Sequence, residues 1–500
     1  MLSILSAQES RNLDIDTIKE GISSKSDLVN NAGKVVAYHI IEKIKDPFNK
    51  SFLCIAGAGD NGIDAIICNS YLNKNSIDST LMIIDPDKID KSYLEDSLFV
   101  TPSNRLELSK YDYIVDGVFG TGLNRKVKGL YLSILKKMTK HKKIISIDIP
   151  SGIYADSGSS SGVCLNSIET ITFTYPKYAH YLSDGYKSTG NLFIYNIGHS
   201  EDKINNQVFL LKDQDISTLL KPIDLQSDKY KKGKILSLCG SSKYTGAAML
   251  SALAAIKSGT GLLKQAYPYS LKDIFSQLKE SVDYPLNDEK LGFLREENFK
   301  DIEKLYDWSD CLMVGPGLST KKESLNLIKK ILLSYKNKCV IDATALQVIN
   351  YKHDKFSKIP KESILTPHYN ELSKILKISK DELMNNTISI LSEISKHLGE
   401  RILVLKGPNV IIVDGNNNKY IVDKGTSVLS TAGTGDILTG IISSYVSSGY
   451  KIFDAAIVGV YIHAYISSIY SKNHIQNIIA SDLISQIPKA QSFFRDRKND

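Results

Sequence analysis

Short runs of consecutive apolar residues alternate along the chain with segments in which apolar residues recur every three or four positions. Short, mainly apolar runs of this length are typical of strands buried on both faces of a parallel sheet, and the longer period is typical of helices. In the first half, the runs occupy residues 52–56, 81–84, 113–116 and 143–147, with shorter ones at 170–174 and 192–197. This alternation predicts a Rossmann-like, doubly wound α/β domain.

The second half has the same alternation, and its strands end in residues that carry chemistry. Apolar runs occupy residues 235–239, 311–314, 339–341, 364–365 and 401–405. They end in Gly, Asp, His or Lys, and parallel strands bring such ends to one edge of a sheet, where α/β folds bind ligands. A hairpin is predicted from residues 410–413 and 420–422, across the turn at Gly415 and Asn416. We therefore expect a second α/β domain.

The length of the chain and one polar segment set the domain boundary. A chain of 500 residues is long enough for two or three domains with full cores. Residues 201–234 are polar and include a basic cluster at 229–234. We place the boundary near residues 205–225, which gives domains of residues 1–210 and 220–495.

Composition narrows the cellular setting and the class of partner. The net charge is +7 and the basic residues are scattered, which argues against a nucleic-acid partner. The six cysteines include no Cys-x-x-Cys pair and lie mostly in apolar runs, as expected of reduced thiols in a cytoplasmic protein. The apolar stretch 455–470 contains His463 and several serines, so we expect a buried helix there and no membrane partner.

The glycine-rich stretch 430–440 is the strongest chemical signal of the second half. Gly433 and Gly435 permit a sharp turn into a helix whose apolar period begins at Ile437. Asp436 would then lie in the first helical turn, beside free backbone N–H groups that bind a phosphate or a developing negative charge. The alternative is that Asp436 only caps the helix.

Three strand ends of the first half also carry polar groups. Residues 57–62 match Gly-x-Gly-x-x-Gly, and Asp85 follows at the distance expected of a ribose-binding acid. Asn61, Asp116 and Ser151 offer oxygen ligands for a cation, and Asp148 is a candidate general acid or base. The alternative is that each strand-end Asp caps a loop or a helix.

The motifs of the first half together resemble the epimerase domain of the NAD(P)H-hydrate repair enzymes. Residues 28–33, 60–65, 115–122 and 148–152 stand where that family has its leading helix motif, its Asn-Asn-Gly-Gly-Asp-Gly loop and two further strand-end motifs. Asp60, Ile63 and Ala65 depart from the family pattern. The resemblance implies interconversion of the two epimers of hydrated NADH or NADPH.

The same resemblance implies a set of site residues. Asp148 is implied as the catalytic residue, and Asn61, Asp116 and Ser151 are implied as potassium ligands. The hydrated dinucleotide is implied to contact Asp60, Asn61, Gly62, Ile63, Asp64, Gly120, Thr121, Gly122, Leu123, Asn124, Arg125, Lys126 and Asp148.

The second half resembles the nucleotide-dependent NAD(P)H-hydrate dehydratases of the ribokinase-like superfamily. The resemblance rests on residues 244–247, 315–318, 366–371, 434–436 and 480–483, and residues 426–428 depart from the Asn-Pro-Gly that many members carry. It implies dehydration of the S hydrate with ADP, or with ATP, in the presence of Mg²⁺. Both halves together imply one bifunctional enzyme that acts as a homo-oligomer on small molecules.

Asp436 is implied to be the catalytic base of this second site. The hydrated cofactor is implied to contact Ala247, Gly317, His368 and Asp436. The nucleotide is implied to contact Lys406, Gly407, Pro408, Asn409, Val410 and Gly435.

Three rival interpretations remain at this stage. A ribokinase-like small-molecule kinase with a non-catalytic N-terminal binding domain shares the Gly-Thr-Gly-Asp loop. A nicotinamide-dependent dehydrogenase is suggested by residues 57–62 with Asp85. A binding or assembly role for the first half is suggested by the departures at Asp60, Ile63 and Ala65.

Overall fold

A computed structural model describes residues 1–94, 97–102, 107–200, 204, 206–475 and 477–497. The chain forms two compact units. The first comprises Leu2–Val208 with Met384–Asn386, and the second comprises Met1, Phe209–Leu383 and the chain from Thr387 onwards. The predicted division at residues 205–225 therefore lies close to the change of unit at Val208.

The first unit contains a parallel sheet in the strand order β4-β3-β2-β5-β6-β7-β8, and its pairings are all parallel. Its direction of winding reverses between β2 and β5, which is where doubly wound folds open their ligand crevice. The strands of this part of the chain are β1 (Leu2–Ser3), β2 (Phe52–Ala56), β3 (Ser79–Ile83), β4 (Phe99–Val100), β5 (Tyr113–Gly117), β6 (Ile144–Ile147), β7 (Glu169–Phe173) and β8 (Asn191–Tyr195).

Helices cover both faces of this sheet, as the apolar runs predict. Alternate residues of β2 enter two different cores, because successive side chains of a strand point to opposite faces. Phe52, Cys54 and Ala56 pack on one side, and Leu53 and Ile55 pack on the other. The helices are α1 (Ala7–Lys19), α2 (Lys25–Lys43), α3 (Asp60–Lys74), α4 (Gly129–Met138) and α5 (Ser183–Ser188). The predicted doubly wound domain is confirmed.

The second unit contains a longer mixed sheet, with the order β9-β18-β17-β16-β15-β14-β13-β10-β11-β12. Strands from β16 to β12 pair in parallel, and the predicted hairpin β17–β18 adds antiparallel strands. The strands are β9 (Val208–Leu210), β10 (Lys234–Leu238), β11 (Leu262–Pro268), β12 (Val282–Leu286), β13 (Cys311–Val314), β14 (Lys338–Ile341), β15 (Ser363–Leu365), β16 (Ile402–Leu405), β17 (Val410–Val413) and β18 (Lys419–Val422).

Small and apolar helices pack tightly beside this sheet. Gly440 lies against the helix that contains Ser251, where an added Cβ atom would meet the Ser251 carbonyl oxygen at 2.2 Å. The helices are α6 (Asp213–Leu219), α7 (Thr245–Lys257), α8 (Lys272–Phe275), α9 (Phe299–Glu303), α10 (Lys322–Ser334), α11 (Tyr351–Asp354), α12 (Tyr369–Leu376), α13 (Lys380–Asn385), α14 (Thr387–Ser395), α15 (Thr434–Ser447), α16 (Ile452–Lys472) and α17 (Ala480–Asp496).

The helix α16 is long and apolar enough to cross a membrane by length and composition alone. In the structure, 78% of its apolar window is buried inside the protein. Ala455, Ile457 and Tyr461 of this helix are fully enclosed in the core of the second unit. The buried core helix predicted over residues 455–470 is therefore what the structure contains.

Candidate active sites

The first unit has a cleft of about 1270 Å³ at the carboxyl ends of β2, β5 and β6. Of the predicted dinucleotide contacts, the cleft is lined by Asp60, Asn61, Asp64, Gly120, Thr121, Gly122, Leu123, Arg125, Lys126 and Asp148. Gly62, Ile63 and Asn124 are not among the described lining residues. Gly62 has a packing role instead, because an added Cβ atom would lie 2.0 Å from the carbonyl oxygen of Gly57.

Asp148 is held in an unusual conformation by several contacts. Its φ angle is +63°, a region that non-glycine residues rarely occupy outside constrained sites. Its backbone N–H donates to the carbonyl of Ile171 at 2.7 Å, and its own carbonyl oxygen lies 2.8 Å from Nε2 of His180. These contacts fix the direction in which the Asp148 carboxyl points.

The carboxyl of Asp148 is paired with a buried lysine. Lys177 Nζ lies 2.8 Å from Asp148 Oδ1, and the Thr172 hydroxyl donates to the same oxygen at 3.0 Å. Burial alone would raise the pKa of Asp148, but the Lys177 ammonium and these hydrogen bonds hold it below its usual value. Asp148 is therefore an ionised carboxylate inside the cleft.

The other oxygen of Asp148 shares a small space with Asn61. A Cβ atom added to Gly120 would lie 3.1 Å from both Asp148 Oδ2 and Asn61 Oδ1. Within the described chain, the buried Nδ2 of Asn61 has no hydrogen-bond partner. Buried amides without partners are uncommon, so this group is available to a ligand in the cleft.

The residues predicted to bind potassium come together only in part. Asp116 is fully buried, and its carboxylate accepts hydrogen bonds from Val118 N, Ser146 Oγ, Ser151 N and Ser151 Oγ. The Ser151 hydroxyl is itself 2.8 Å from the donating N–H of Phe119. A carboxylate offers about four acceptor positions, so Asp116 is already satisfied. This arrangement does not fit a cation bound directly by Asp116 and Ser151.

In the second unit, five neighbouring parallel strands end at the predicted residues. Gly240 follows β10, Gly315–Gly317 follow β13, Asp342 follows β14, His368 follows β15 and Lys406 follows β16. The ends of β15 and β16 are in direct contact. His368 and Lys406 form a parallel bridge, and Lys406 N donates to the Pro367 carbonyl at 2.8 Å. The convergence expected from the sequence is confirmed.

Gly317 and Ala247 lie together at the other end of this edge. A Cβ atom added to Gly317 would lie 3.1 Å from the Ala247 Cβ and 2.4 Å from the Tyr244 carbonyl oxygen, and its φ is +67°. Only glycine fits this close approach between the end of β13 and the start of α7. The Ser241 hydroxyl donates to the Gly317 carbonyl at 2.8 Å and links β10 to the same turn.

Lys406 forms a buried ion pair with Asp342. The Nζ atom lies 2.7 Å from Asp342 Oδ1, and the Thr439 hydroxyl donates to Oδ2 at 2.7 Å. Burial would raise the pKa of Asp342, but the Lys406 ammonium outweighs it and lowers that pKa. Lys406 in turn lies 3.6 Å from the position of a Cβ atom on Gly435, next to the glycine loop.

Asp436 is the third residue of α15, which begins after Gly433 with φ +94°. Across the described residues no hydrogen bond reaches the Asp436 carboxyl, so the capping alternative does not account for it. Burial and then the nearby Asp342 raise its pKa to about 6, against the opposing effect of Lys406. A carboxylate with this pKa is suited to accept a proton near neutral pH.

His368 caps the start of α12 with both its side chain and its backbone. Its Nδ1 accepts a hydrogen bond from Glu371 N at 3.1 Å, and Glu371 Oε2 accepts one from His368 N at 2.8 Å. The imidazole is about half exposed. This capping box fixes the ring at the edge of the sheet.

Of the residues predicted to contact the nucleotide, Lys406 to Val410 lie between the end of β16 and the start of β17, and Gly435 lies in α15. Gly407 packs against the Tyr369 ring, which an added Cβ atom would meet at 2.8 Å. Asn409 is buried, and Val410 begins β17. The carbonyl oxygen of Pro408 lies 3.3 Å from the Cβ position of Gly425.

Several residues of the two sites have no clear signal in the sequence. Lys177 lies in a loop after β7, and Asp342 resembles any strand-end aspartate until its pairing with Lys406 is seen. Thr439 and His463 lie within apolar helical patterns. The His463 imidazole is buried beside the backbone of Thr434, and burial lowers its pKa to about 4. Only spatial proximity identifies these residues.

Comparison with known proteins agrees with both units. The family model for NAD(P)H-hydrate dehydratase matches residues 235–489, and that for the YjeF-related protein N-terminus matches residues 25–179. A ribokinase-like superfamily protein of known structure from Enterococcus faecalis V583 superposes with a TM-score of 0.50 at 19% identity, over 59% of this chain and 99% of that one. The fold and the site thus define a two-domain α/β enzyme with a ribokinase-like second unit.

Full-length relatives assign the family. The bifunctional NAD(P)H-hydrate repair enzyme Nnr of Dictyoglomus turgidum is 30% identical, over 94% of this chain and 95% of its own. The enzyme of the same name from Thermofilum pendens is 28% identical, over 94% and 92% respectively. The chain belongs to the family of bifunctional NAD(P)H-hydrate repair enzymes.

Proposed function

We propose that this chain repairs hydrated NADH and NADPH at two separate sites. The first unit interconverts the R and S hydrates, and the second dehydrates the S form with ADP, giving AMP and phosphate. Membership of the family supports the pair of activities. The observation that carries the proposal is the unbonded Asp436 carboxyl, which lies at a helix N-terminus beside Lys406 and a glycine loop.

The dehydratase site uses kinase-like chemistry to remove a poor leaving group. Asp436 accepts the proton of the ring hydroxyl, whose oxygen then attacks the terminal phosphoryl group of ADP. The backbone N–H groups around Gly433–Gly435 stabilise the charge on the transferring group. Phosphate then leaves with the C–O electron pair, and loss of a neighbouring ring proton restores the double bond.

The nucleotide in this proposal lies along residues 406–410 and Gly435, with the ring near Ala247, Gly317 and His368. Lys406 supplies a positive charge close to the phosphates. In the described part of the chain, no group of three or more His, Cys, Asp or Glu side chains is placed to hold a metal. Mg²⁺ would therefore enter with the nucleotide phosphates and neutralise charge there.

The epimerase site places an ionised carboxylate beside the hydrated ring. Asp148 is held by Lys177 and Thr172, and Asn61 lies next to it. Basic side chains at Arg125 and Lys126 line the same cleft and suit the phosphates of a dinucleotide. Potassium takes no part in this proposed step, because Asp116 and Ser151 are already hydrogen-bonded to each other.

A repair assay tests the proposal. Hydrated NADH or NADPH is incubated with the protein, ADP and Mg²⁺, and absorbance is followed at the reduced-nicotinamide band. Full recovery with release of phosphate is expected, and no recovery with either ADP or ATP would contradict the dehydratase assignment. A stable phosphorylated product in place of free phosphate would support the small-molecule kinase instead.

A further inference from the structure

Asp64 is a buried carboxyl in the cleft of the first unit, and so far it is implied only as a contact of the dinucleotide, without a chemical role. It lies in α3, one helical turn after Asp60, and is only 6% exposed. It lines the same cleft as Asp148. Among the residues that the structure describes, no hydrogen bond or ion pair reaches its carboxyl group.

Keeping such a group buried has a cost in folding free energy. An ionised carboxyl without a partner is strongly disfavoured in a buried site, and the group takes up a proton instead. Burial raises the pKa of Asp64 well above its usual value, and the negative charges of Asp148, Asp60 and Asp14 raise it further. A neutral Asp64 has a proton to donate.

Asp64 and Asp148 are in opposite states in one cleft. The Lys177 ammonium keeps Asp148 ionised, whereas no side chain of the described residues forms an ion pair with Asp64. Two carboxyl groups whose surroundings separate their protonation states in this way are the usual arrangement of an acid and a base in one active site.

The topology places Asp64 and Asp148 beyond the ends of two different strands. Helix α3 follows β2, Asp148 follows β6, and β5 lies between these strands. Neighbouring strands are about 4.8 Å apart, so β2 and β6 are roughly 10 Å apart. Asp64 and Asp148 therefore reach the same cleft from the ends of two different strands.

We propose that Asp64 is the proton donor of the epimerase site and acts with Asp148 on the hydroxyl-bearing carbon of the hydrated nicotinamide ring. The inference rests on the proposed epimerase function of the first unit. It adds to Asp148 a second catalytic residue, one turn beyond the glycine loop.

Epimerisation proceeds by loss and re-addition of water at the hydroxyl-bearing carbon. Asp64 gives its proton to the ring hydroxyl, and the C–O bond breaks with its electron pair on the departing water. The ring nitrogen supplies its lone pair to a C=N bond, and the Asp148 carboxylate stabilises the resulting cation. Water then adds to the other face of the carbon, the C=N pair returns to nitrogen, and Asp148 accepts the released proton. Proton exchange through the water of the cleft returns both carboxyls to their starting states.

Asp64→Asn in the full-length protein tests this role. Asn has nearly the same shape but no acidic proton, so we expect epimerisation of the R hydrate to slow by about 100-fold or more. The dissociation constant for the hydrated cofactor should change by less than about threefold, and dehydration of the S hydrate should be unchanged. Asp87→Asn, an exposed substitution of the same charge outside the cleft lining, is the matched control.

Thermal stability separates this role from a structural one. Removing a buried carboxyl that has no partner should leave the melting temperature equal or higher in Asp64→Asn, and also in Asp64→Leu. A structural residue would show the opposite, a lower melting temperature together with lost activity. Normal epimerisation by Asp64→Asn, or loss of activity only with unfolding in both variants, would overturn the inference. A wild-type protein that cannot epimerise the R hydrate would instead overturn the proposed function.

Discussion

Lys406 Nζ lies 2.7 Å from Asp342 Oδ1, and this ion pair joins the ends of β16 and β14 beneath the glycine loop. Thr439 of α15 donates to the other oxygen of Asp342, so the helix that carries Asp436 is attached to the same pair. A buried ion pair adds little net stability, because desolvation offsets most of its attraction. The main effect of this ion pair is to hold the Lys406 ammonium beside Gly435 and Asp436.

Lys406→Met should therefore be costly in both stability and activity. It leaves Asp342 buried without its counter-ion, which costs about 3–5 kcal/mol. We expect a lower melting temperature and loss of nucleotide-dependent dehydration, with epimerisation retained. Lys322→Met, at an exposed lysine of α10, is the control.

A double variant checks the cause. Combining Lys406→Met with Asp342→Asn removes both charges, so part of the stability should return while dehydration stays absent. If the double variant is as unstable as the single one, the ion pair is not the source of the loss.

Dehydration should depend on pH through Asp436. Its pKa is raised to about 6 by burial and by Asp342, and the base form is the ionised one. The rate of the chemical step should be constant above pH 7 and should fall about tenfold per pH unit below pH 6. Single-turnover rates with S hydrate and ADP from pH 5 to 8 measure this, and a flat profile over that range would exclude Asp436 as the base.

The same carboxyl should lower stability at neutral pH. A raised pKa means that the folded protein binds the proton more tightly than the unfolded chain, so stability falls as pH rises from about 4 to 6. Asp436→Asn should consequently gain about 2 kcal/mol at pH 7, a figure reduced for its partial exposure, and nothing below pH 4. Unfolding at both pH values tests this, and equal stability of the two proteins at pH 7 would contradict it.

Some strands of the fold could be predicted from the sequence and others could not. The buried strands β2, β5, β6, β10 and β13 to β16 were predictable because each contains a short, mainly apolar run. The strands β11 and β12 were not, because Lys264, Asp283 and Pro285 interrupt their pattern near the sheet edge. The apolar composition of the central strands is enough to identify them. The edge strands β11 and β12 form because they pair with neighbouring strands, which local composition does not show.

Some residues of the two sites could likewise be predicted from the sequence, and others could not. Asp148 and Asp436 stand at strand and loop ends in glycine-rich motifs, so both could be identified from sequence. Lys177 and Asp342 act through contacts with residues 29 and 64 positions away, which no local pattern encodes. Asp116 and Ser151, which the sequence predicted as ligands of one cation together with Asn61, are joined by a direct hydrogen bond of 2.6 Å.

Gly433→Ala should disturb the glycine loop specifically. Its φ of +94° is unfavourable for alanine, and the new Cβ would lie 2.6 Å from Leu250 Cδ1. We expect a stability loss of about 1–3 kcal/mol. We also expect a large loss of dehydration, because Asp436 stands only three residues after Gly433. Gly449→Ala has a similar φ of +77° with no atom within 4 Å, so it controls for backbone strain alone. Equal dehydration by both variants would contradict a special role for the loop.

Lys177→Met should affect only the first site. Asp148 loses the cation that keeps it ionised, so its pKa should rise and epimerisation should fall most at low pH. A buried carboxylate without its partner should also cost about 3–5 kcal/mol. Lys136→Met, at an exposed lysine of α4, is the control, and unchanged epimerisation in Lys177→Met would show that the pair is not needed.

The most direct test of two cooperating sites uses the separated R hydrate with ADP and Mg²⁺. The wild-type protein should restore all of the NADH or NADPH, because the first site converts R to S and the second consumes S. Asp148→Ala should restore it only at the rate of spontaneous epimerisation, and Asp436→Ala should convert R to S without restoring any. Full and rapid recovery from the R hydrate by Asp148→Ala would contradict the account.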